Sequence, residues 1–228
     1  MSRSSLEING QRLEKRSAVA VTAAVYGIYA GFLGVEHGFF ETLQGNTAPE
    51  HLKIYAVNPW ELPFPFGHEP AMTMIPNFLF TGIAALLCGL SIMLWSMRLL
   101  RGKRGAAVLL LLSVALLLVG GGFGPISLLI VACLAASQIG RTAKMAHRSK
   151  TPMLRRALAR TWPWWLVASL LWVPAELVAG QILHWSNDHR QSLSNLNLLL
   201  SYPMLALFVL SLVAAFASDK EKQVMHGA

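Results

Sequence analysis

Apolar positions run through this chain in six blocks, at 17–40, 71–97, 106–121, 124–140, 162–184 and 197–218, with polar segments between them. A helix needs about 20 apolar residues to cross a hydrocarbon core. Most of the blocks approach or exceed that length. The pattern predicts an all-α, polytopic integral membrane protein: one membrane domain over 1–228 with six transmembrane helices. The third and fourth blocks form a single apolar stretch broken only by GGGFGP at 120–125. Four glycines and a proline end a helix more readily than they bend one. A tight turn between two short spans is therefore expected, with its backbone amides lining whatever lies beside it. No Lys-Ser/Thr follows the glycines, so this is not a phosphate-binding loop.

Between the first two blocks runs YAVNPWELPFPFGHEP, at 55–70. Its prolines and aromatics oppose both helix and strand, and predict an ordered, aromatic-rich loop resting on the membrane interface. The stretch RSKTPMLRRALARTWPWW, at 148–165, reads as a basic interfacial helix. Its Arg155, Arg156 and Arg160 would meet anionic headgroups and its tryptophans would form an aromatic belt.

Composition agrees with this reading. Hydrophobic residues make up 54% of the 228 positions and charged residues 13%. A soluble domain of this size needs far more polar surface. Cys88 and Cys133 both fall inside apolar blocks, where a thiol serves as a small packing group. Arg3, Arg12, Lys15 and Arg16 precede the first block, which ends in Glu36-His37 rather than a small-residue cleavage site. That arrangement predicts an uncleaved signal anchor.

Charge sets the expected orientation. With six spans, segments 1–16, 98–105, 141–160 and 219–228 share one side and hold 17 Lys and Arg. The other side, loops 41–70 and 185–196, holds only Lys53 and Arg190. By the positive-inside rule both termini are cytoplasmic, in a cell (cytoplasmic or inner) membrane. A five-span reading would erase this bias. The net charge of +8 then serves orientation and anionic lipid contact on the cytoplasmic face, and implies no nucleic acid.

The outer side collects the candidate chemistry. Seven of the eleven acids and five of the seven histidines fall on it or in the outer half-spans, with almost no Lys or Arg beside them. Three clusters result: Glu36, His37 and Glu41 ending span one; His68 and Glu69 before span two, followed by Asn77; and Glu176, Gln181 and His184 in span five. Glu176 lies eight residues before His184, about 12 Å down the helix at 1.5 Å per residue. It also follows Pro174, which frees a helix carbonyl. Gly27, Gly31, Gly34 and Gly38 form a small-residue stripe for close helix packing. At about 100° per residue, Glu41 lies about 50° from the stripe's centre, His37 about 90° and Glu36 about 170°. His37 and Glu41 are thus predicted partners in one pocket, and Glu36 points away.

Residues of this kind suit an outward-facing site that binds or translocates a cation, a proton or a small polar molecule. A second reading is a membrane-embedded enzyme holding a divalent metal such as zinc through His37, Glu41, His68 and His184. There is no HExxH motif, since His68-Glu69 runs into Pro70, Ala71 and Met72. A third is haem held between His37 and His184. A fourth is a structural or assembly membrane protein without a ligand. Asp188 and Asp219 are expected in aqueous segments. Oligomeric state stays open.

Overall fold

A computed structural model describes residues 17–55, 70–98, 100, 102–139, 152–186 and 190–226; the side chains of 55, 70, 102, 103, 152, 173, 176, 177, 179–186, 190–202 and 226 fall outside that description. Among these residues the fold is all-helical apart from one short strand pair. Helices α1 (Ala18–Leu43), α2 (Phe78–Arg98), α3 (Gly102–Leu118), α4 (Phe123–Gln138), α5 (Pro152–Ser186) and α6 (Arg190–His226) follow in order. Strands β1 (Lys53–Tyr55) and β2 (Pro70–Met72) lie between α1 and α2. Three stretches are long and apolar enough to cross a membrane: α1, α2 and Pro203–Met225 of α6. Two shorter apolar helices, Arg104–Leu118 and Phe123–Gln138, accompany them. Helices of this kind mark a membrane protein.

The most extensive contact is between α1 and α2, and glycine makes it. All four glycines of the α1 stripe are buried. A Cβ added to Gly38 would stand 2.6 Å from the Gly82 carbonyl oxygen, and one added to Gly31 would stand 2.7 Å from the Gly89 carbonyl oxygen. The relation is reciprocal: a Cβ on Gly82 meets the Gly38 carbonyl at 2.6 Å, and one on Gly89 meets the Gly31 carbonyl at 2.6 Å. Two glycines seven residues apart on α1 thus face two glycines seven apart on α2, in antiparallel order. The backbones approach as closely as small residues allow.

The start of α1 is held by the far end of the chain. Ser17 caps the helix and accepts from the Ala20 amide. Its hydroxyl donates to Asp219 of α6. The Asp219 carboxylate also accepts from the Ala18 amide at 2.6 Å and from the Val19 amide at 3.1 Å. A carboxylate placed here satisfies donors that the first turn leaves open and complements the helix dipole. Asp219 is only 5% exposed, which corrects its expected place in an aqueous segment. Two residues on, Glu221 pairs with Arg155 at 2.7 Å and Arg156 at 3.2 Å, joining α6 to α5. These two arginines are therefore engaged in the protein and do not serve solely as lipid contacts. Asp219→Asn should lower stability by about 1–3 kcal/mol, because it removes charge from three hydrogen bonds. Thermal unfolding in detergent micelles measures this, and an unchanged midpoint would show that the clamp contributes nothing.

Deeper in the bundle, Tyr26 is fully buried, with its hydroxyl between Ser169 of α5 (2.7 Å) and Ser211 of α6 (2.5 Å). The Trp162 indole donates to Thr22 at 3.0 Å. These polar contacts join α1 to α5 and α6 inside an otherwise apolar core.

Two elements differ from expectation. The predicted interfacial helix and the fifth span are one continuous helix, α5, of 35 residues, with Pro163 and Pro174 inside it. The stretch expected to be neither helix nor strand contributes strand residues at both ends. Tyr55 pairs with Pro70, Ile54 with Ala71 and Lys53 with Met72, antiparallel. Pro70 sits at the end of the ladder, where a missing amide is tolerated. Residues 56–69, the rest of the loop expected to be ordered, lie outside the described residues.

Candidate functional site

The site forms where the GGGFGP turn folds over the C-terminal half of α1. Gly120 and Gly122 have φ of +90° and +77°, values that side-chain-bearing residues rarely adopt. The helix therefore ends at Leu118 and a new one starts at Phe123, as the glycine run predicts.

The turn is tied down from the strand side. The Gly120 amide donates to the Met72 carbonyl at 2.9 Å, and the Met74 amide donates to the Leu118 carbonyl at 2.9 Å. Thr73 forms an antiparallel bridge with Val119. From α2, the Thr81 hydroxyl donates to the Val119 carbonyl at 2.9 Å. With that proton committed, Thr73 donates to Thr81, their oxygens 2.5 Å apart. Both threonines are buried.

Held this way, the turn presses on His37 and Glu41. A Cβ on Gly120 would lie 2.6 Å from Glu41 Oε2 and closer still to Oε1. One on Gly122 would lie 2.5 Å from His37 Nε2. Only glycine leaves room here. The turn meets the carboxylate with its Cα face and not with the amides foreseen from the sequence, because the Gly120 amide serves Met72 and the Gly121 amide serves Leu116.

Burial follows the predicted angular order. Glu41 is 0% exposed, His37 is 8% exposed, and Glu36 is exposed on the other face. Neither carboxylate oxygen of Glu41 has a hydrogen-bond partner among the described residues. A bare charge in such a place is strongly disfavoured. Set against the described residues alone, the carboxyl has no donor to offset a negative charge.

The other candidates divide. Asn77 is a cap: its side-chain oxygen accepts from the Phe80 amide at 3.2 Å and its amide group donates to Asn46 at 2.6 Å. It holds the start of α2 and leaves the pocket to others. His68 and Glu69 lie outside the described residues. Glu176, Gln181 and His184 belong to α5, whose helical backbone runs unbroken past Pro174, and their side chains lie outside the description. Of the four candidates whose side chains are described, Glu36, His37, Glu41 and Asn77, the structure brings His37 and Glu41 together under the turn. Among the described residues no three His, Cys, Asp or Glu side chains come together as a metal would need. Thr73 and Thr81, which position the turn, escaped the sequence reading; threonines near the start of a span are too common to signal a role. No protein-family model matches this chain, and no curated protein or solved structure matches it either.

Proposed function

We propose that the chain is a multi-pass membrane protein whose outward-facing end binds or translocates a proton or a small cation at His37 and Glu41. Six spans with both termini on the cytoplasmic side place this pair on the face that carries only Lys53 and Arg190. One observation carries the reading: Glu41 is fully buried and its carboxylate meets no donor among the described residues. Buried polar groups are nearly always satisfied, and an exception calls for a ligand. An acid inside a membrane protein is costly and usually marks an ion or proton path. His37, one helical turn earlier, is near enough to share what Glu41 holds.

The test is flux. The full chain is reconstituted into liposomes with an internal pH-sensitive dye, and a diffusion potential drives protons or cations inward. Glu41→Gln and His37→Ala should each lose the flux while inserting at normal yield. The reading fails if both variants carry the same flux, and bind the same cations, as the wild type.

A further inference from the structure

We propose that the exposed ridge of α5 holds one anionic phospholipid. Its phosphodiester would sit on Arg160 and its acyl chains along Val167 and Leu171, while Arg156 rejects headgroups that end in a cation. The proposal rests on α5 as a membrane span, part of the multi-pass reading, and is independent of the pair at Glu41. Its ground is that α5 runs as one helix from Pro152 to Ser186. A separate interfacial helix would lie flat and spread its arginines along the membrane surface. A continuous helix instead carries them outward through the headgroup layer, one beyond another.

Angular position sorts the side chains of this segment. At about 100° per residue, Met153, Arg156, Trp164, Val167 and Leu171 fall within about 40° of Arg160. All of these, Arg160 included, are exposed. Arg155, Trp162, Leu166 and Ser169 fall about 120–180° away, on the side that packs inside the protein. Leu166 and Ser169 are buried, Trp162 donates to Thr22, and Arg155 pairs with Glu221. Two neighbouring arginines are thus split between two environments. The Arg155 side chain is 14% exposed and the Arg156 side chain 65%. Glu221 offsets one of their two charges; the other, with Arg160, remains for a ligand.

Depth sets the order along the ridge. At 1.5 Å per residue, Arg160 lies about 6 Å beyond Trp164 and Arg156 about 12 Å beyond it. The polar layer on one side of a bilayer is about 5–8 Å deep, and an exposed tryptophan anchors at that layer. With Trp164 where the layer begins, Arg160 stands at the phosphates and Arg156 just past them. Val167 and Leu171 continue into the hydrocarbon. Helical side chains lean toward the N-terminus, here away from the hydrocarbon, so both guanidinium groups reach toward the headgroups. A guanidinium matches a phosphate in shape and charge. Arg156 then supplies selectivity. A choline or ethanolamine headgroup carries its cation beyond the phosphate, at the level of Arg156, and like charges there repel. A glycerol headgroup brings no cation to that place.

Native mass spectrometry of the full chain, released from micelles holding equal amounts of phosphatidylglycerol and phosphatidylcholine, reads the occupant. The wild type should retain one phosphatidylglycerol, preferred by at least about tenfold. Arg160→Gln should lower that retention about tenfold, the loss of one charge-assisted contact. Arg156→Gln should lower the preference about fivefold, with more phosphatidylcholine retained. Arg98→Gln removes an exposed charge from the end of α2 and should leave retention and preference unchanged. Equal retention of the two lipids by the wild type overturns the site. So does an equal loss in Arg98→Gln and Arg160→Gln, which would reduce it to the general pull of a basic surface. Inorganic phosphate, added in place of lipid, should give no adduct. An adduct that depends on Arg160 would overturn the lipid and assign the site to free phosphate. A chain that does not insert into vesicles fails the multi-pass reading and this site with it. A chain that inserts but shows no preference fails the site alone, and leaves the flux test at Glu41 untouched.

Discussion

Gly38→Ala is expected to be among the most damaging single substitutions in this protein, although it adds one carbon. The new methyl would meet the Gly82 carbonyl oxygen at 2.6 Å and the Leu86 amide nitrogen at 2.7 Å. Both belong to the backbone of α2, so no side-chain rotation relieves the clash and the helices themselves must separate. Overpacking commonly costs about 1–3 kcal/mol, and more where backbone must move; a loss of at least about 3 kcal/mol is expected. Gly82→Ala should match it, since its methyl would meet the Gly38 carbonyl and the Thr42 amide nitrogen, at 2.6 and 2.7 Å. Gly27→Ala supplies the comparison. Its nearest obstacle is the Ser96 hydroxyl, which can rotate away and leave the Ser96 Cβ at 2.9 Å with no α2 backbone atom in the way, so it should be milder. Thermal unfolding of the three variants in one detergent measures the ranking. If Gly38→Ala and Gly27→Ala melt together, the contact does not depend on backbone approach.

The α1 stripe was legible in the sequence because glycine spacing on one helix is local information. Its partner was not. Gly82 and Gly89 repeat the seven-residue spacing of Gly31 and Gly38, but choosing between helices and registers requires the packed bundle. The same division runs through the rest of the molecule. Angular arithmetic on α1 ranked Glu41, His37 and Glu36 correctly by burial, because a helix with one packed face fixes which side chains turn inward. The GGGFGP break was legible because only glycine takes positive φ freely. Its seating on Glu41 was not, since that depends on β2, a strand of three residues whose pairing leaves no periodic trace. Asp219 shows the limit most plainly. It lies 202 residues from Ser17, and beside Lys220, Glu221 and Lys222 it looked like part of a solvated tail. The length of α5 was hidden for a different reason. An apolar block reports only the part of a helix that suits lipid, and the hydrogen-bonded backbone continues beyond it.

Glu41→Met should stabilise the protein and silence it, a combination that a merely structural role for Glu41 would not produce. The chain has two buried acids among its described residues, and their surroundings are opposite. Asp219 accepts from one hydroxyl and two backbone amides. Removing it leaves those donors stranded, so a loss is expected. Glu41 accepts from nothing described, and its removal strands no one. Replacing a buried carboxyl that lacks hydrogen-bond partners with an apolar side chain of similar length removes a desolvation cost and keeps the volume filled. Met is flexible enough to follow the path of the original chain past Gly120. A gain of about 1–3 kcal/mol is expected on this ground, together with loss of the proposed proton or cation flux, the trade seen where a destabilising group is kept for function. Thermal unfolding and liposome flux, measured on the same preparation, check both halves. Were Glu41 bonded to a partner in the working protein, Glu41→Met would fall in stability as Asp219→Asn is expected to. Such a fall would recast the pair as a structural contact at the rim of α1.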